Sequence, residues 1–86
     1  MSEKAIGKVT HYYGRISVAV LALTGPLRLG DTVRIVGRAT DFQQEVASLQ
    51  IDHAAVAAVG PGREIALKVD EPVRKGDAVF RVAELS

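Results

Sequence analysis

The residues from which this 86-residue chain could assemble a serine, histidine or metal centre are few: two histidines, four serines and no cysteine. His11 and His53 are the imidazoles able to exchange a proton near neutral pH, and Ser2, Ser17, Ser48 and Ser86 are the serine hydroxyls. A hydroxyl becomes a nucleophile when a base lies within hydrogen-bonding reach and a third group orients that base. Ser48, Asp52 and His53 come nearest to such a set, but neighbours on a strand project to opposite faces, which separates Asp52 from His53. Zinc asks for three or four ligands, and the histidines and carboxylates show no ligand spacing. The inventory therefore points away from an enzyme and away from a bound metal or cofactor.

Two groups have the chemistry of contact rather than of reaction. In Tyr12-Tyr13-Gly14-Arg15, adjacent aromatics at a hairpin tip with a guanidinium beside them can stack on bases or anchor a protein partner. The competing reading has one tyrosine covering an end of the core and the other half-exposed with its hydroxyl in water. Arg38, Asp41 and Phe42 form the second group, a loop with a charge of each sign and an aromatic ring. Phe42 also suits the core, where phenylalanine is most often found. Arg28, Arg74 and Lys75 flank turns and read as solvated turn charges.

The elements that position these residues are legible from a repeat. Leu27 to Val36 and Val73 to Val82 share the frame x-Arg-x-Gly-Asp-x-Val-x-x-Val. Glycine supplies the positive φ of a tight turn, aspartate bonds the backbone beside it, and the valines suit a half-buried pleated strand. Strands are expected from Ala5 to His11, Ile16 to Leu23, Thr32 to Val36, Gln43 to Ile51, Glu64 to Val69 and Ala78 to Val82. In the second strand Ile16, Val18 and Val20 are taken as the core side; in the third, Val33 and Ile35; in the fifth, Ile65, Leu67 and Val69. Val46 and Leu49 are an odd number of residues apart, which predicts a bulge near Ala47 or Ser48. His53 to Val59, rich in alanine, reads as a loop with a helical kink, and Gly60-Pro61-Gly62-Arg63 as a type II turn.

The totals bound the rest. With 48% hydrophobic and 24% charged residues, the composition is that of one folded domain over residues 1–86, its core at about residues 5–83. A formal net charge of +1 gives no bulk attraction for phosphate, so binding to nucleic acid would need a local patch. Met1 to Lys4 is too polar for a signal peptide and the longest apolar runs, Val18 to Leu23 and Ala54 to Val59, are too short for a membrane helix. A cytoplasmic location with no membrane partner is the expectation. Oligomeric state is left open.

Gly30-Asp-Thr-Val-Arg-Ile-Val-Gly37, Thr40-Asp-Phe42, Val46-x-Ser-x-Gln-Ile51, Gly60-Pro-Gly62 and Val73-Arg-Lys-Gly-Asp77, in that order, resemble a known family. The chain is similar to the translation elongation factor-like barrels: domain 2 of elongation factor Tu-type translational GTPases and, more closely, the C-terminal barrel of collagenase-type peptidases. The resemblance implies an all-β fold, a six-stranded closed Greek-key barrel of the translation-protein domain 2 type. It carries no nucleotide chemistry, because nothing here matches a phosphate-cradling Gly-x-x-x-x-Gly-Lys-Ser/Thr loop. Its implied function is a non-enzymatic module docking through its loops on RNA, a ribosomal component or a protein partner. The alternative is a structural or protein-interaction barrel unrelated to translation. Tyr12, Tyr13, Arg15, Arg38, Asp41 and Phe42 are the candidate contact residues.

Overall fold

The computed structural model describes residues 2–83, with side chains over residues 3–82. Ten strands make up its regular structure: β1 (Ser2–Tyr13), β2 (Val18–Leu23), β3 (Leu27–Arg28), β4 (Thr32–Val36), β5 (Asp41–Glu45), β6 (Leu49–Ile51), β7 (Ala54–Ala55), β8 (Ala58–Val59), β9 (Glu64–Lys68) and β10 (Ala78–Ala83). Eight of them form one sheet in the order β5-β4-β10-β1-β2-β9-β6-β7, and β3 and β8 pair separately. The all-β expectation is met. The six-stranded closed barrel is not found, because the ladder is open, with β5 and β7 at its two ends.

The repeated frame forms the same turn twice. Gly30 and Gly76 have φ of 90° and 94°. Asp31 Oδ2 accepts the Arg28 N–H and Asp77 Oδ2 the Arg74 N–H, both at 2.9 Å. Each turn is clamped by a valine from elsewhere: Val46 donates to the Asp31 carbonyl and accepts from Gly30, and Val9 does the same for Asp77 and Gly76. The strands leaving the turns, β4 and β10, pair antiparallel with Arg34 opposite Phe80. Those two residues are themselves equivalent in the repeat, so a local two-fold axis relates the halves at that pair.

Bulges set which residues of β1 reach the core. Register shifts between Ala5 and Gly7 and between Val9 and His11 each add a residue. A bulge reverses the facing of the residues beyond it, and so Ile6, Val9 and Tyr12, three apart, all turn inward. The bulge expected near Ala47 or Ser48 is instead an interruption: residues 46–48 leave the ladder as the chain passes from β4, the partner of β5, to β9, the partner of β6. That passage lets Val46 and Leu49 both be buried.

Two other expectations are corrected. The core side of β2 is Ala19, Leu21 and Leu23, with Ile16 exposed and Val18 and Val20 half-buried on the opposite face. Every residue of β2 is apolar, so alternation alone does not choose a face; pairing of Leu21 with Ile65 and Ala19 with Leu67 does. The segment from His53 to Val59 is not helical. Asp52 and His53, with φ of 50° and 66°, make a two-residue hairpin turn between β6 and β7, and β8 then pairs with β3. Positive φ at both central residues is the type I′ pattern, whose twist matches that of its strands.

The sheet curls around one core in which Leu21, Leu27, Val33, Ile35, Leu67 and Val79 are fully buried. Where the ladder stays open, a side chain bridges the gap. Gln44 of β5 is buried; its Nε2 donates to the Lys68 carbonyl at 2.8 Å, and its Oε1 accepts the Asp70 N–H at 2.7 Å. The amide thus makes the pair of bonds a neighbouring strand would make.

Candidate functional site

The outer face of β2, β9 and β6 carries a groove flanked by two hairpin turns. Val20 of β2 lies opposite Ala66 of β9, and Ala66 opposite Gln50 of β6. On β1, His11 and Tyr13 lie opposite Val20 and Val18. Two hairpin turns rise beside this floor, residues 14–17 on one side and Asp52-His53 on the other. Between them is a groove of about 580 Å³ lined by Tyr13, Ile16, Val18, Val20, Ala66 and, on its rim, Gln50, Asp52, His53 and Glu64. A smaller hollow continues it toward Ser48 and Lys68, sharing Ile16, Val18, Gln50 and Ala66.

The sequence explains the floor. A strand apolar on both faces buries one against the core and leaves the other for something else to cover. Among the described residues, Tyr13, Ile16 and Leu29 are the large apolar side chains most exposed, at 49%, 61% and 45%, and two of the three border this groove. Ser17, Asp52 and His53 are the non-glycine residues with positive φ among those described, and all three belong to the turns flanking it. Such φ values are uncommon for side-chain-bearing residues, though aspartate and histidine tolerate them better than most.

The polar rim is uneven. Glu64 Oε2 accepts the Thr10 hydroxyl at 3.0 Å, which draws its carboxylate over β2. Asp52 adds a second carboxylate, and among the described residues no lysine or arginine lines this half of the groove; Lys68 stands at the other end. His11 stacks at a tilt on Tyr13, ring centroids 5.5 Å apart, with its Nδ1 3.0 Å from the Thr10 carbonyl. Among the described residues there is no cluster of three or more histidine, cysteine, aspartate or glutamate side chains arranged to hold a metal ion.

The residues singled out from sequence are dispersed. Strand alternation splits the tyrosine pair: Tyr12 packs half-buried against the core and Tyr13 faces the groove. Arg15 is exposed in the 14–17 turn. Arg38 is exposed in the β4–β5 turn, while Asp41 and Phe42 belong to β5 itself. Phe42 is 8% exposed and part of the core. Asp41 is held by Arg34 through two bonds of 2.9 Å, Nε to Oδ1 and Nη2 to Oδ2, and Arg34 also reaches Glu3 at 3.2 Å. Hydrogen bonding from Arg34 lowers the Asp41 pKa below its ordinary value, and the same bond raises that of Arg34. The hairpins bearing Tyr13 and Asp41 lie apart in the sheet, with β10 between β1 and β4. Sequence reasoning missed Val18, Val20, Gln50, Asp52, Glu64 and Ala66 as one surface, although the unbroken apolar run from Val18 to Leu23 was its signal.

Solved structures share this fold. The C-terminal domain of a Geobacillus thermoleovorans protein classed as a U32 peptidase superimposes with a TM-score of 0.87 over 93% of both chains, at 19% identity. Its selenomethionine variant gives 0.84 over 88% of this chain and 96% of that one, at 22% identity. Among curated proteins, an uncharacterized protease of Methanocaldococcus jannaschii is 38% identical over 80 residues, covering 92% of this chain and 20% of its own length. A collagenase of Porphyromonas gingivalis is 31% identical over 78 residues, covering 88% of this chain and 22% of its own. The chain thus spans about a fifth of the length of the curated relatives it matches. No family model matches it. Among the described residues, no helix is long and apolar enough to cross a membrane.

Proposed function

We propose that this chain is a non-catalytic polypeptide-binding domain that serves a peptidase of the U32 kind. The observation that carries this reading is the shape of the similarity: nearly the whole chain aligns with a fifth of proteins named as a protease and a collagenase, so what is shared is one module of a larger enzyme. The likeness in fold to a peptidase's C-terminal domain supports it. A groove with an apolar floor and a polar rim is the kind of surface on which a polypeptide rests. These comparisons favour the protein-interaction alternative over docking on RNA or the ribosome, and a net charge of +1 favours it too.

The test uses the purified chain with casein and with gelatin as probes. Retention on immobilised gelatin, unchanged by nuclease, with no release of new amino groups from either protein, is the expected result. Hydrolysis of casein or gelatin, or retention from lysate that nuclease abolishes, would overturn the reading.

A further inference from the structure

We propose that the β2–β9–β6 groove selects an extended polypeptide segment carrying a lysine or arginine. The segment's apolar side chains rest on Val18, Val20 and Ala66, and its cation lies at the rim beside Asp52 and Glu64. This inference rests on the reading above, that the domain binds polypeptide, and adds what the segment must contain.

Charge complementarity chooses the occupant. Among the described residues, the larger half of the groove is lined by two carboxylates and by no lysine or arginine, so an anionic segment is repelled there and a cationic one attracted. Glu64, Ala66 and Lys68 are alternate residues of one strand and share its outer face. At the rise of an extended chain, Glu64 and Lys68 stand roughly 13 Å apart. The groove is therefore acidic in its larger half and basic at its smaller end, with an uncharged floor between.

The probes are two peptides, Ac-Ala-Val-Lys-Val-Ala-amide and its glutamate counterpart, titrated separately into the isotopically labelled 86-residue chain and followed by amide shifts. The lysine peptide is expected to shift Val18, Val20, Gln50, Asp52 and Ala66 and to bind about tenfold tighter than the glutamate peptide, as two exposed ion pairs allow. Added salt should narrow that preference. The Asp52→Asn, Glu64→Gln double variant, both substitutions exposed and close in shape, should lose the preference while amide signals outside the groove stay in place. Equal affinity for the two peptides, tighter binding of the glutamate peptide, shifts confined to other strands, or none at millimolar lysine peptide would overturn the proposal. Gelatin retention persisting alongside any of those results would leave the polypeptide-binding reading standing and sink the groove alone.

Discussion

The carboxylate of Asp77 rests directly against the Cα of Gly37, so that a Cβ at position 37 would overlap it. Asp77 is buried, and its Oδ2 accepts the Arg74 N–H that sets the second Gly-Asp turn. Gly37 ends β4 and Asp77 precedes β10, so this contact locks the two strands related by the local two-fold.

Gly37→Ala should therefore cost about 2 kcal/mol, because it displaces a buried carboxylate from a charge-assisted bond. Asp77→Ala should cost a similar amount. The two changes together should cost clearly less than their sum, since each removes the same contact. Urea unfolding of the two single variants and the double variant checks this, and strict additivity would show the contact to be idle.

Replacing Gln44 tests the bridge across the open ladder. Gln44→Leu keeps the bulk but leaves the Lys68 carbonyl and the Asp70 N–H without their partners. A loss of about 2 kcal/mol is expected. The sharper readout is hydrogen exchange: the Asp70 amide should lose protection by more than the amides of β10, which bond within the ladder.

The face of β2 can be read by a pair of truncations. Leu21 is fully buried, and Leu21→Ala should cost about 2–5 kcal/mol through the cavity it leaves. Val20 is half-buried on the outer face, and Val20→Ala should cost no more than about 1 kcal/mol. Thermal unfolding of the two variants gives the order, and the reverse order would return Val20 to the core.

The Arg34–Asp41 pair predicts an acid dependence. Hydrogen bonding from Arg34 holds the folded Asp41 pKa below its unfolded value. A depressed carboxylate pKa means that the pair's stabilisation is fully present above the unfolded value, about 3.9, and is lost as pH falls through the lower folded value. Arg34→Gln should bring the Asp41 titration back up toward that value, observed by carbon NMR of its carboxyl group. An unchanged midpoint would mean the pair does not form in solution.

Much of the strand plan was legible locally. The Gly-Asp frame announced two equivalent turns because glycine's positive φ and aspartate's bond to nearby backbone are properties of four successive residues. Clean alternation named Val33, Ile35, Ile65 and Leu67 as core for the same reason. The pattern failed where it is degenerate. Along Val18 to Leu23 both faces are apolar, and from Ile6 to Tyr12 two bulges shift the period. The alanines after His53 resemble a short helix until a type I′ turn and pairing with β6 and β3 claim them.

By itself, the chain's order of residues determined the two Gly-Asp turns, the all-β character and the core face of β4 and β9, because those depend on φ preferences and period-two burial within a few residues. Tertiary structure alone decided that a glutamine amide stands in where the ladder stays open. It also decided that Val18, Val20, Ala66, Asp52 and Glu64 meet on one outer surface. Those outcomes depend on register between segments as far apart as Thr10 and Glu64, and register is set by the pairing that fills the whole core best rather than by any local run.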